Sequence, residues 1–280
     1  MKNADNIQVL QDFLVLRGYS ESTNKVYVSC LREFLGAFPD KDGKRISTED
    51  ARQYLIGRIK NDGISISYQK QMTSAIRMYF EDCLGRKTQL YRIPNPRRKN
   101  KIPNVLHPAE VQAILNSIEN LKHRTIISLM YSCGLRVSEV CKMKVSDIDS
   151  KEMSITVHEA KWNKDRKVML DPSILDLLRK YWGVYRPDYY LFKGQREVYS
   201  SRSVQEIVKR AAKKAGISKR ISTHTLRHSC FTALLKGGTD IITIKELAGH
   251  KYLSTTEKYL HIAAEDVLKV KSPTASLSII

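Results

Sequence analysis

The chain has 280 residues, 42% hydrophobic and 28% charged, a balance that suits a globular protein with ample core and excludes a disordered one. Its formal net charge of +19 is spread along the sequence: residues 1–100 hold 18 Lys and Arg against 11 Asp and Glu, and residues 101–280 hold 30 against 18. Basic charge on both parts suits a long polyanion held from more than one side, not a neutral enzyme with a basic tail.

Residues 5–85 read as four helices. The first carries Ile7, Leu10, Phe13 and Leu14 at helical spacing and stops at Gly18. Ser20 or Ser22 opens the second, which ends before Pro39. Ser47-Thr-Glu-Asp50 resembles a capping box ahead of the third, and the fourth carries Tyr68, Met72, Ile76 and Phe80 up to Gly85. Lys25, Arg32, Lys70 and Arg77 are expected on exposed faces that could meet phosphate. Residues 86–106 break the pattern with Pro94, Pro96 and Pro103 among Arg97, Arg98, Lys99 and Lys101. Prolines remove donors and disfavour helix before them, so this is an extended basic linker suited to lie along a phosphate backbone.

A second helical region starts at His107-Pro108, and residues 124–133 form a nearly all-apolar helix that must be central to a core. Strand patterns follow at Met153–Val157 and Lys167–Leu170, joined by a turn that carries Lys161 and Lys164. Helices resume near 172–185, 201–215, 224–236, 240–248 and 254–269. Residues 271–280 show no clear period. The fold class is therefore mainly α with a small antiparallel β-sheet. Its divisions are 1–85 helical bundle, 86–106 linker, 107–270 second domain and 271–280 tail. No uninterrupted apolar run reaches the ~18 residues of a membrane span. The opening Met1–Asp5 has no signal-peptide core, so a cytoplasmic protein is expected. The five cysteines are scattered without a Cys-x-x-Cys and read as free thiols, not as a disulfide frame or zinc site.

Chemistry concentrates in a few places. Gly134-Leu-Arg136-Val-Ser-Glu139 sets an arginine beside a core helix with an acid three residues on; His224 and Arg227 share a helix face; Gly249-His250 stands nine residues before Tyr259. Ser222 and Thr223 are possible N-caps, placing His224 where free amides favour a phosphate. Forked guanidiniums, imidazoles and a phenol together suit a phosphodiester, because they can clamp its oxygens, move protons and attack phosphorus. A free phenol has a pKa of ~10, so attack at neutral pH needs a base and cationic surroundings.

In this order and spacing the motifs resemble those of the tyrosine recombinases, the phage integrases and Xer-type site-specific recombinases. The resemblance implies an N-terminal core-binding bundle and a mixed α/β-hairpin catalytic domain acting on double-stranded DNA. It implies catalytic roles for Arg136, Lys161, His224, Arg227, His250 and Tyr259, with Glu139 buttressing Arg136 and His224 as proton acceptor and positioning group. Arg136 and Arg227 would clamp the scissile phosphate, His250 would hydrogen-bond it, and Tyr259 would form a 3′-phosphotyrosyl link. Lys161 matches the leaving-group proton donor, although the glycines usual beside it are absent, which leaves Lys164 as the second choice. His228 reads as structural. No metal or other cofactor is implied, a homotetramer on two DNA sites is, and the tail would dock on a neighbouring protomer. A type IB topoisomerase, or a DNA-binding protein without catalysis, are the alternative readings.

Overall fold

The computed structural model describes residues 3–86, 103–158, 165–195 and 197–263, and it divides the chain into two compact units, Met1–Asn100 and Lys101–Ile280. Lys161 and Lys164, the linker residues Arg97, Arg98, Lys99 and Lys101, and the tail lie outside the described residues.

The first unit comprises α1 (Ala4–Leu16), α2 (Glu21–Gly36), α3 (Thr48–Asn61) and α4 (Ile66–Met78). Serine side chains start three of them: Ser20 Oγ accepts from Thr23 N at 3.4 Å, Ser47 from Asp50 N at 3.0 Å and Ser65 from Tyr68 N at 3.2 Å. Asp50 accepts from Ser47 N in return at 2.9 Å, so the sequence's capping box forms with an aspartate. The apolar stripes meet in one core that includes Leu10, Leu14, Leu31, Phe34, Leu55, Met72, Ile76 and Phe80. The last helix passes at Tyr79–Cys83 into a π-helical turn that the periodicity did not announce. There the buried Tyr79 hydroxyl donates to Asn6 Oδ1 at 2.7 Å. Lys25 and Arg32 are exposed as expected, whereas Lys70 and Arg77 are half-buried.

The second unit continues with α5 (Pro108–Asn116), α6 (Leu121–Ser132), α7 (Val137–Lys142), β1 (Ile148–Asp149), β2 (Ser154–Val157), β3 (Arg166–Met169), α8 (Pro172–Tyr185), β4 (Lys193–Gly194), β5 (Glu197–Val198), α9 (Ser201–Lys214), α10 (Thr223–Lys236), α11 (Ile241–Ala248) and α12 (Lys258–Ala263). The hairpin is antiparallel, with Ile155 opposite Val168 and Val157 opposite Arg166, and β1 extends it on the far side of β2. Ile155, Val157 and Val168 are buried, so this face of the sheet joins the core built around Ile126, Ile127, Leu129 and Met130 of α6. The fold is thus mostly helical with small antiparallel sheets.

Two features position the site. Helix α10 is the most enclosed, burying Leu226, Arg227, Ser229, Cys230 and Phe231, and it packs against α6, α11 and α12. Gly134 turns the chain between α6 and α7 at φ +61°, and a Cβ there would lie 2.5 Å from Phe231 Cζ. Both the left-handed backbone and the approach of the ring therefore require glycine. One expected helix is corrected: 254–269 is not continuous, since a 3-10 turn at Leu253–Thr255 precedes α12 and the buried Thr256 lies between them. Ser254, Thr255 and Thr256 favour local side-chain hydrogen bonds over helix, and Thr256 spends its hydroxyl on His250. Among the described residues, no helix is long and apolar enough to cross a membrane.

Candidate active site

The site is assembled around the C-terminal end of α11. Helix ends leave carbonyls without intrahelical partners and carry the negative pole of the helix dipole. Gly249 closes this helix at φ +59°, sending its N–H back to Glu246 O at 2.9 Å while His250 N donates to Lys245 O at 3.1 Å. The carbonyls that remain are taken by three arginines. Arg166 Nε donates to Leu247 O at 2.8 Å; Arg136 Nη2 donates to Ala248 O at 3.2 Å and Gly249 O at 3.1 Å; Arg227 Nη2 donates to Ala248 O as well. Arg227 Nη1 reaches Gly134 O at 2.5 Å, which ties the second arginine to the turn that delivers the first. Two guanidiniums separated by 91 residues in sequence thus converge on one carbonyl oxygen.

Glu139 holds the arrangement from behind. Its side chain is 7% exposed, and its carboxylate accepts from Arg136 Nη1 at 2.7 Å and from Arg136 N at 2.7 Å. Arg166 closes the other side as a fork, at 3.1 Å and 2.8 Å to the two carboxylate oxygens. Burial pushes the Glu139 carboxyl up, but Arg166 and then Arg136 outweigh it and hold it below the usual glutamate range. Sequence reading pairs Glu139 with Arg136 and misses Arg166. A signal was present: Arg166 is in phase with the inward-facing Val168, so it had to point into the protein instead of to solvent.

The remaining side chains gather at α10 and α12. His250 meets Thr256 Oγ1 at 3.0 Å through Nδ1, and its Nε2 lies 3.5 Å from Arg227 Nη2. An arginine offers only donors, so Nε2 keeps its lone pair and the proton sits on Nδ1. Burial, followed by the charges of Arg227, Lys258 and Arg136, holds this imidazole neutral with its pKa down at about 3. His224 lies on the exposed side of α10, with its ring centroid 6.4 Å from that of His228. Its pKa falls below the ordinary histidine value through desolvation and then through Arg227, Lys258 and Arg136. Tyr259 is fully buried, flanked by Phe231 at 5.7 Å between ring centroids and by the His250 ring at 6.5 Å. Its hydroxyl meets Nδ1 of His228 at 3.1 Å, a residue that reads from sequence as structural.

Around the phenol the electrostatics are dominated by positive charge, with Glu139 the opposing charge behind the arginines. Arg227, 3% exposed, is pulled down to about 10 by burial and by the neighbouring charge of Arg136. The Lys258 ammonium, 5.2 Å from the Tyr259 ring centroid, is lowered by burial and then by Arg227. Burial raises the Tyr259 phenol to about 12 although Arg227 and Arg136 pull it down. Every shifted cation or imidazole here would be relieved by an incoming anion.

Two family profiles match this architecture. The phage integrase family profile covers residues 104–266, and that of the phage integrase N-terminal SAM-like domain covers residues 7–90. The chain belongs to the tyrosine recombinases. Relatives match it nearly end to end: a tyrosine recombinase of Thermosipho africanus is 33% identical over 276 residues, covering 93% of this chain and 96% of its own.

 The tyrosine recombinase XerA of Pyrococcus horikoshii is 30% identical over 268 residues, covering 94% of this chain and 91% of its own. Among solved structures, a XerA recombinase superposes with a TM-score of 0.57 at 25% identity, covering 97% of this chain and 100% of the other. A lambda integrase dimer bound to a COC′ core site superposes with a TM-score of 0.77 at 21% identity, covering 91% of this chain and 94% of the other, a likeness of fold. This recombinase is an enzyme of the tyrosine type that acts site-specifically.

Proposed function

We propose that the recombinase cuts and rejoins double-stranded DNA through a 3′-phosphotyrosyl intermediate formed on Tyr259. The observation that carries this reading is the cationic cluster of Arg136, Arg227 and Lys258 around a buried phenol, with no carboxylate among the groups that shift the phenol's pKa. Such a site is complementary to a phosphodiester, and its charges are fixed before the substrate arrives.

Arg136 and Arg227 clamp the non-bridging oxygens, and Glu139, itself held by Arg166, fixes the Arg136 guanidinium in place. Tyr259 Oη attacks phosphorus, the Oη–P bond forms, and the P–O5′ bond breaks. Lys161, in the segment that joins β2 to β3, supplies the proton that the departing 5′-oxygen takes up, with Lys164 as the second choice. His250 and His224 border the same phosphate. A 5′-hydroxyl from a partner strand then attacks the phosphotyrosine, and the phosphodiester is restored with no net loss of bond energy. The helical bundle and the basic linker, through Arg97, Arg98, Lys99 and Lys101, also bind the duplex. Exchange needs two duplexes, and hence four protomers. Integration, excision, inversion and resolution all use this chemistry.

The test uses DNA nicked next to the scissile phosphate, so that the cleaved fragment diffuses away and the adduct cannot religate. The wild type should accumulate an SDS-stable protein–DNA complex and Tyr259→Phe none, with both binding the duplex alike. An adduct of equal yield from Tyr259→Phe would place the nucleophile elsewhere.

A further inference from the structure

Attack by Tyr259 releases a phenolic proton, and the group that receives it must lie within hydrogen-bond reach of the phenolic oxygen, directly or through one water. We propose that His228 is that acceptor: its Nδ1 holds the Tyr259 hydroxyl in the resting enzyme and takes its proton as the bond to phosphorus forms. This rests on Tyr259 being the nucleophile.

Three observations support the assignment. Among the described residues, His228 Nδ1 is the hydrogen-bond partner of Tyr259 Oη, at 3.1 Å. His224, to which the family resemblance gives the acceptor role, makes no such contact and lies on the exposed side of α10. The second is packing. His228 follows Arg227 directly, and Arg227 is anchored at Gly134 O and Ala248 O, so the phosphate clamp and the imidazole are held by one turn of helix. Phe231, one turn further on, packs against the Tyr259 ring from below, with the Arg227 guanidinium 4.9 Å from its own ring centroid. The His228 and Tyr259 rings are tilted by 55° with centroids 5.6 Å apart, which suits an in-plane nitrogen meeting a hydroxyl and not a stacked pair. The third is the direction of the bond. Burial raises the phenol to about 12 and lowers the His228 imidazole to about 4, so the phenol is the donor and Nδ1 the acceptor.

The groups that face His228 explain how so weak a base becomes competent. After desolvation, Lys258 of α12 and then His224 and Arg227 of α10 hold its pKa down, and His250 beyond α11 lies close enough to feel it. These are the groups that border the proposed phosphate. A phosphodiester carries a negative charge into their midst, cancels part of their field, and raises the proton affinity of His228 at the moment of attack. The step balances: the Oη–H bond breaks, an Nδ1–H bond forms, Oη joins phosphorus, and the departing 5′-oxygen is protonated by the general acid. On rejoining, the imidazolium returns the proton to Oη as the 5′-hydroxyl displaces it. The resting enzyme is therefore unreactive without DNA, and the substrate itself switches on the base.

The full-length protein with His228→Ala, His228→Asn or the wild-type residue is reacted with nicked DNA in single turnover across a pH series. The asparagine puts an oxygen acceptor near the place of Nδ1 but cannot take a proton. Both variants should bind DNA as the wild type does and form the adduct about 100-fold more slowly, the usual contribution of a positioned base. Added imidazole should speed His228→Ala and leave the wild type unchanged. The variants' rates should climb with hydroxide, whereas the wild type reaches a plateau. If His228→Asn matches the wild type at every pH, His228 only holds the phenol and the inference is overturned. If His228→Ala matches it, or imidazole does nothing for a folded His228→Ala, the inference is likewise overturned. Wild-type and Tyr259→Phe controls separate this from failure of the nucleophile reading, in which the wild type would form no adduct or Tyr259→Phe would still form one.

Discussion

Replacing Arg166 with methionine isolates the strut that the hairpin lends to the site. The substitution keeps most of the apolar stem and deletes the fork on Glu139 and the hydrogen bond to Leu247 O. Arg166 and Glu139 side chains are 9% and 7% exposed, so the pair is not screened by solvent. Breaking a buried ion pair on one side costs about 3–5 kcal/mol, and Glu139 retains Arg136, which favours the lower end, about 3 kcal/mol. At ~2–4 °C per kcal/mol for a domain of this size, the midpoint should fall by roughly 6–12 °C. Both tryptophans, Trp162 and Trp182, lie in the second unit, so thermal unfolding followed by their fluorescence reports on that unit. The pH dependence gives the sharper result. Glu139 in the folded protein titrates below the unfolded glutamate value of ~4.3. The stabilisation that this implies is present above the unfolded value and is lost as pH falls through the folded one. The gap between wild type and variant should be full at pH 7 and narrow below about pH 4. An Arg166→Met midpoint equal to that of the wild type at pH 7, or a gap as wide in acid as at neutrality, would refute the strut.

Arg227→Lys should cut adduct formation by about two to three orders of magnitude while leaving the fold intact, because an ammonium cannot reach Gly134 O, Ala248 O and a phosphate together; single-turnover kinetics read this directly. Gly134→Ala should destabilise the second unit by about 2–4 kcal/mol, combining left-handed strain with displacement of the Phe231 ring, and its urea midpoint in tryptophan fluorescence should drop accordingly. Affinity of the full chain for duplex DNA should fall steeply with salt on a log–log plot, as contacts from a chain of net charge +19 release counterions; a flat salt response would remove the polyanion reading.

What the sequence disclosed, and what it hid, follow from the range of the signals. Arg136, Glu139, Arg227, His250 and Tyr259 were legible as candidates through spacing, and the structure brings the arginines and His250 together at the end of α11. The helices of the bundle were legible because serine caps and apolar stripes act over four residues or fewer. Helix α7 was missed because six residues are too few to show a period. The short strands β1, β4 and β5, two residues each, carry no alternation to read. Arg166 was not singled out, since its partners Glu139 and Leu247 lie 27 and 81 residues away. His228 was hidden for the same reason: its partner Tyr259 is 31 residues on, and only the packing of α12 against α10 joins them.

The central claim is that Tyr259 becomes covalently joined to the 3′ end of a cut strand. The direct measurement is to trap the wild-type adduct on nicked DNA labelled at one end or the other, digest it with protease and nuclease, and sequence the nucleotide-bearing peptide by mass spectrometry. The account requires a peptide modified at Tyr259, carrying nucleotide through a 3′-phosphate, with a free 5′-hydroxyl left on the other fragment. A peptide modified at any other residue, or a 5′-phosphate link, would contradict it.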